Sequence, residues 1–314
     1  MCPLSDSVNY CIDWVLENAL SSYPGAQVGQ NLSLTDLDYA DDVGLLSDPV
    51  EAQNMLDSVV AWADLIGLKV STEKTKCMAI NHDTGPFSLT VNQVQLEKVN
   101  RFTYLCSQLC TDGSSDADIQ QRIQKAQTVF ASLRKPLWNR REISVQTKVR
   151  IYMALVRTVL LYGCETRSAK LQQENALKVF EHTCLRRILR VQLRDRISNV
   201  NIRRMRNIQR DIVLTIKERR LKWLVHALRK PPEYLPRQIL LVEPISYWKK
   251  RQGGQRKNWW NLAKSDLEPT GDFRKLGHIW STQWLAFAEQ LAQDRSTWSK
   301  KVSKIIDAGR GGNA

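Results

Sequence analysis

The chain has 314 residues, 43% of them hydrophobic, and a formal net charge of +14. This length fits about two domains with a real core, no apolar run approaches the ~20 residues of a membrane span, and residues 1–20 lack the basic start and clean apolar block of a signal peptide. Seven cysteines, an odd number without regular spacing, argue against a disulfide framework and for an intracellular, reducing setting.

In chain order, Val8–Leu20 carries Cys11, Val15, Leu16 and Ala19 at helical spacing and is predicted as a helix, ended by Ser21-Ser22-Tyr23-Pro24-Gly25. Leu34–Leu46 alternates apolar or neutral residues with acids up to Tyr39, then places Asp41 and Asp42 side by side before an apolar run. This reads as a β-hairpin with Ala40, Asp41 and Asp42 at or near its turn. Two carboxylates at such a tip suit a hard divalent cation such as Mg²⁺; a solvated Asp-Asp turn is the plainer reading. Asp48-Pro49 is expected to cap and open a helix that presents Met55, Val59, Trp62 and Ile66, with Gly67 just past its end. Cys77–Ile80 is a predicted strand. Ser88–Val91 and Val94–Leu96 are expected to pair across Asn92-Gln93, Arg101–Leu109 to continue the sheet edge, and Asp112–Asp116 to form a turn at a domain boundary.

The charge divides along the same boundary. Residues 1–120 carry 5 Lys/Arg against 17 Asp/Glu, residues 121–230 carry 27 against 7, and residues 231–314 carry 14 against 8. From Ala117 the period is helical, with stripes at Ile119/Ile123/Ala126/Phe130/Leu133, broken at Pro136, at Val149/Tyr152/Val156/Val159/Leu160, at Leu177/Phe180/Cys184/Ile188 and at Ile212/Ile216/Leu221/Leu224/Leu228. Arg203, Arg204, Arg206 and Arg210 lie between the stripes, and cationic faces of this kind suit a grip on nucleic-acid phosphates. Farther on, Lys249, Lys250, Arg251, Arg256 and Lys257 surround a Gly pair and precede Trp259-Trp260, which fits either base stacking or a small core. Trp280, Trp284, Phe287 and Leu291 mark a last amphipathic helix. Cys106 and Cys110 have no second pair at zinc-finger spacing, and His182 and Cys184, two apart on a predicted helix, face different sides.

Several of these segments resemble, in family order, the reverse transcriptases of non-LTR retrotransposons. Tyr39-Ala40-Asp41-Asp42, flanked by Leu34-Thr35-Asp36-Leu37-Asp38 and Val43-Gly44-Leu45-Leu46, is similar to the catalytic hairpin of the palm. Cys2-Pro3-Leu4-Ser5 with Cys11–Leu16 resembles the end of the motif before it, and Gly67–Met78 resembles the motif after it. Phe102–Ser107 resembles the primer-grip hairpin, with Cys106 where the family usually has Gly. Leu160–Thr166 and Arg219–His226 are similar to segments beyond the palm, so the resemblance covers nearly the whole chain.

The resemblance implies an α+β chain: a partial palm with an antiparallel sheet over 1–115, a basic, mostly α-helical thumb over 116–230, and a basic, Trp-rich helical extension over 231–314. It implies two-metal nucleotidyl transfer with Mg²⁺ or Mn²⁺ as cofactor, and an RNA template and DNA primer as partners, with no membrane. Asp41 would be the main metal ligand, Asp42 a secondary one, and Lys74, or else Lys76, a proton donor near the leaving group. The match begins inside the palm, with Met1 in place of a Gly and Asp6 in place of a Pro. The fingers and the strand with the first catalytic Asp have no counterpart in these residues. The expectation is a truncated RNA-directed DNA polymerase, inactive alone, for which an upstream polymerase fragment is a candidate partner. A nonenzymatic RNA- or DNA-binding module and a functionless structural remnant are the alternatives.

Overall fold

A computed structural model describes residues 3–80, 87–204, 208, 210–242, 258–267 and 282–311, a mixture of helices and small sheets. Contacts divide the chain into two compact units. One takes Met1–Tyr104, Cys110–Gly113 and Leu235–Arg251; the other takes Leu105–Leu109, Ser114–Tyr234 and Gln252–Ala314. Residues 231–314, expected as one extension, are thus shared between the two.

In the first unit, α1 (Pro3–Leu20) contains the predicted helix and begins earlier, at a Pro, which suits a first turn because its missing N–H costs nothing there. Leu16, Ala19 and Leu20 of α1 bury against Met55 of α2 (Ala52–Leu65). Trp14 meets Trp62 edge to face at 5.3 Å, and the Ser58 hydroxyl donates to the Ala19 carbonyl at 2.9 Å. α2 does not start at Asp48-Pro49 as expected: the Glu51 N–H closes a turn on the Asp48 carbonyl at 3.2 Å, and the helix follows it. Its end matches the expectation. Gly67 is left-handed (φ +79°), its N–H reaches the Asp64 carbonyl, and the Leu68 N–H reaches Ala63, the paired bonds of a Schellman motif.

Strands in this unit are short and paired two by two rather than in the one antiparallel sheet expected. β1 (Ala26–Gly29) pairs with β2 (Leu32–Leu34), and β3 (Asp36–Tyr39) with β4 (Asp42–Leu45), both antiparallel. β5 (Lys76–Cys77) pairs in parallel with β8 (Glu97–Lys98), while β6 (Thr90–Val91) and β7 (Val94–Gln95) form the expected hairpin. Asn92 and Gln93 both hold positive φ, as a two-residue hairpin turn of the primed type requires. The Gln53 amide of α2 serves β6 as a substitute strand: it donates to the Thr90 carbonyl and accepts from the Thr90 N–H, each at 2.9 Å. β9 (Arg101–Tyr104) pairs with β10 (Ser107–Cys110), of which residues 107–109 are counted with the second unit.

The second unit holds α3 (Asp116–Ser132), α4 (Val145–Ile151), α5 (Arg157–Leu160), α6 (Leu171–Leu189), α7 (Asn199–Arg204) and α8 (Ile212–Leu228). α9 (Leu235–Leu241) belongs to the first unit; α10 (Trp259–Leu267), α11 (Thr282–Gln293) and α12 (Arg295–Gly311) return to the second. The predicted stripes supply its core, including Ile119, Ala126, Phe130, Tyr152, Val156, Leu160, Leu177, Ile188 and Ile212. Pro136 does not end the chain's coiling. Arg134–Trp138 widens into a π-helical turn, with the Trp138 N–H on the Leu133 carbonyl at 3.1 Å, which relieves the clash of a Pro ring with the preceding turn. α8 is contacted by α6, α10, α11 and α12 and is buried on several sides, charged residues included. Trp260 is buried, and the Trp259 indole donates to the Glu165 carbonyl at 2.7 Å while meeting Trp223 edge to face, so this pair packs α10 onto its unit.

Cys106 has φ +65°, a conformation that costs an L-residue about 1–2 kcal/mol and glycine nothing. Gly gives back part of that gain through the freedom of its unfolded chain. Cys106→Gly is therefore expected to stabilise the chain by about 0.5–1 kcal/mol; a shift of the urea midpoint to lower concentration would contradict it.

Candidate metal-binding hairpin and nucleic-acid interface

The β3–β4 ladder sets the geometry of the acidic hairpin. Asp36 stands opposite Leu45, Leu37 opposite Gly44, Asp38 opposite Val43 and Tyr39 opposite Asp42, leaving Ala40 and Asp41 as the two-residue turn. Ala40 holds φ +55°, a position usually given to Gly. Partners across a ladder share a face. Val43 and Leu45 pack on the α1–α2 core. Asp36 and Asp38 share their side and, with Asp13 and Glu17 of α1, line an open groove of about 370 Å³. The other face carries Leu37, Tyr39 and Asp42, all exposed.

Asp41 and Asp42 are both exposed, and neither carboxylate makes a hydrogen bond or ion pair within the described residues. In kind they fit a hard cation: adjacent, uncommitted oxygen donors at an accessible tip. In number they are two; no group of three or more His, Cys, Asp or Glu able to hold a metal occurs among the described residues. Lys74 is exposed and makes no ion pair to either Asp, whereas Lys76 is committed to Glu97 at 2.7 Å.

Tyr104 is the residue that sequence reasoning missed. Its hydroxyl lies 2.9 Å from the Leu37 carbonyl oxygen and 3.2 Å from that of Asp42, so one phenol holds both strands of the acidic hairpin. Burial, and then the charges of Asp38, Asp42 and Asp36, push its pKa up, which keeps it a proton donor. The signal was present: Tyr104 lies inside the primer-grip-like segment, where alternation sends it to the opposite face from Thr103.

The expected cationic residues have different surroundings. Arg204 is exposed at the end of α7. Arg203 donates to the His182 ring at 2.9 Å, and Arg210 pairs with Glu218, which Lys222 also reaches at 2.8 Å. Arg206, Lys249, Lys250, Arg251, Arg256 and Lys257 lie outside the described residues. Beneath α7 and α8 the buried Arg157 and Glu181 pair at 2.9 Å. Arg157 also donates to the Arg210 carbonyl and the Thr215 hydroxyl, and Glu181 accepts from the Ile212 N–H. Burial raises the Glu181 carboxyl, while Arg157 and that N–H pull the other way. Burial also pushes the thiols of Cys164 and Cys184 up to about 11 and about 12, leaving both protonated at neutral pH.

Two outcomes follow from these contacts. Tyr104→Phe removes the shared donor, and a hydrogen bond of this kind contributes about 0.5–1.5 kcal/mol. Amide exchange across Asp36–Leu45 is expected to speed up by roughly threefold to tenfold; unchanged exchange would show that the hydroxyl holds nothing. His182 gives the second. Burial, then Arg203, lowers its pKa from 6.5 to about 4. The folded chain therefore keeps the imidazole neutral while the unfolded chain protonates it, so this contribution is complete above about pH 6.5 and is lost as pH falls toward 4. Between pH 7 and pH 5 the loss is expected to be roughly 1–2 kcal/mol, allowing for partial solvent access. His182→Gln, which keeps an acceptor for Arg203, should flatten the pH dependence of urea unfolding by that amount; equal slopes in both proteins would contradict it.

Among known proteins, the chain is similar to a Caenorhabditis elegans protein described as uncharacterized and transposon-derived, with 24% identity over 277 residues, covering 85% of this chain and 94% of the relative. No protein-family model matches the chain, and no solved structure does. No helix among the described residues is long and apolar enough to cross a membrane. The chain is thus a distant homologue of a transposon-derived protein.

Proposed function

We propose that this chain is part of the reverse transcriptase of a non-LTR retrotransposon, carrying the acidic hairpin of the palm and the nucleic-acid-gripping thumb. The observation that carries this reading is the hairpin. The Tyr-Ala-Asp-Asp segment, met in sequence as a resemblance, forms a two-stranded ladder with both carboxylates free and exposed at its tip. The similarity to a transposon-derived protein supports the same origin.

In this reading Asp41 is the main metal ligand and Asp42 the secondary one. Mg²⁺ held by these two carboxylates would supply the positive charge that this chemistry needs at the attacking 3′ hydroxyl and the leaving pyrophosphate. The chain's own residues do the rest. Tyr104 keeps the two strands of the hairpin in register. Lys74 stands free as the proton donor for the leaving group, while Lys76 is held by Glu97. The helical unit binds the RNA template and DNA primer through their phosphates.

A second reading draws on the two-ligand count. With no third carboxylate gathered at the tip among the described residues, these residues alone suit a nonenzymatic grip on RNA or DNA. The two readings separate in primer extension on poly(rA)/oligo(dT) with Mg²⁺ or Mn²⁺. The 314-residue chain by itself is expected to extend no primer. Supplied, in cis or in trans, with the family's fingers and the strand bearing its first catalytic Asp, it is expected to extend, and Asp41→Ala should lower that rate by at least about a thousandfold. Extension indifferent to Asp41→Ala would refute the polymerase reading, and no extension under any of these conditions would leave the binding module.

A further inference from the structure

Two of the arginines singled out at 203–210 are already engaged by side chains of the fold: Arg203 on His182, and the half-exposed Arg210 on Glu218. A different set is free. Arg134, Lys135, Arg140 and Arg141 are exposed, and their side chains form no ion pair among the described residues.

Local folding gathers them. The Asn139 N–H bonds the Arg134 carbonyl at 3.0 Å and the Arg140 N–H bonds Leu137 at 3.2 Å, which coils the segment into one tight turn. Its large apolar side chains, Leu137 and Trp138, go inward, with Trp138 stacked on Phe130 at 4.9 Å. The cations are left outside. Two further cations cover the turn's carbonyls: Lys148 donates to Trp138 at 3.1 Å and to Arg140, and Arg190 donates to Asn139 at 3.2 Å. Arg190 caps the C-terminal end of α6, which brings that end to the turn. Burial and then Arg190 lower the pKa of Lys148, as expected where positive charges crowd, and Glu142 is the acid that acts against them.

We infer that the Arg134–Arg141 turn and the C-terminal end of α6 form a surface that binds the phosphodiester backbone of structured RNA. The inference deepens the function proposed above and rests on its nucleic-acid-gripping helical unit. Arg forks match phosphate oxygens in pairs, which a compact cluster of Arg side chains can exploit along a backbone. An anionic membrane fits less well, because the turn buries the large apolar side chains that an interfacial anchor inserts among lipids.

The test uses the full chain and a fluorescent hairpin RNA over a series of salt concentrations. Arg134→Gln, Lys135→Gln, Arg140→Gln and Arg141→Gln combined are expected to flatten the log–log salt slope by about three units, and to weaken binding at least about tenfold near physiological salt. Arg203→Gln with Arg204→Gln should flatten it by about one unit or less. The unfolding midpoint of the fourfold variant should be unchanged, since the four turn side chains are exposed. If the double variant removes the slope and the fourfold variant does not, RNA binds elsewhere on the chain and the inference falls while the proposed function stands. If the unaltered chain shows no salt-dependent RNA binding, the proposed function falls as well. Preferential binding of phosphatidylserine vesicles, lost in the fourfold variant, would reassign the surface to membranes and overturn the inference.

Discussion

Arg157 and Glu181 meet at 2.9 Å with both side chains almost out of reach of water, and the helical unit is built around that contact. The guanidinium belongs to α5 and the carboxylate to α6. The same guanidinium holds the Arg210 carbonyl and Thr215, and the same carboxylate takes the Ile212 N–H at the start of α8. One ion pair therefore fixes three helices. Removing either partner alone strands a buried charge at a cost of about 3–5 kcal/mol, whereas replacing both with apolar groups costs far less. The arrangement recurs where Arg167 pairs with Asp118 at 2.5 Å and Arg220 with Asp266 at 2.5 Å.

These pairs sort the unit's cations. Each buried arginine has a carboxylate: Glu181 for Arg157, Asp118 for Arg122 and Arg167, and Asp266 for Arg220. Arg134, Lys135, Arg140, Arg141 and Arg204 are among the cations left exposed with no ion pair among the described residues. A surface of that kind repels itself until a polyanion neutralises it. The buried pairs determine which cations are left at the surface.

The first unit has a different problem. Its ladders are two strands wide, and an isolated pair of short strands is marginal in water. Side chains take the place of missing neighbours: the Gln53 amide on β6 and the Tyr104 hydroxyl on the acidic hairpin. Packing of Val43 and Leu45 on the α1–α2 core adds the apolar anchor. The tip with Asp41 and Asp42 is thus held from beneath and left open above.

Much of this was legible before any coordinates. Helical stripes announced the core of the second unit because period 3.6 is written directly in Ile119, Ala126 and Phe130 or in Ile212, Ile216 and Leu224. The hairpins at Asp41-Asp42 and Asn92-Gln93 were visible as alternation around turn residues. The ion pairs were not, since Arg157 with Glu181 and Arg220 with Asp266 join positions distant in sequence that no period links. Nor could Pro136 be read as a widened helical turn, or Arg210 as an internal partner of Glu218, because both depend on tertiary neighbours. The assignment of the hairpin to a divalent cation is tested most directly by Mn²⁺ titration of the isotopically labelled chain, followed by nuclear magnetic resonance. The account predicts that amide signals from Tyr39 to Val43 broaden first, and that Asp41→Asn with Asp42→Asn abolishes this. Broadening that survives the double variant, or that centres on the groove of Asp13, Glu17, Asp36 and Asp38, would contradict it.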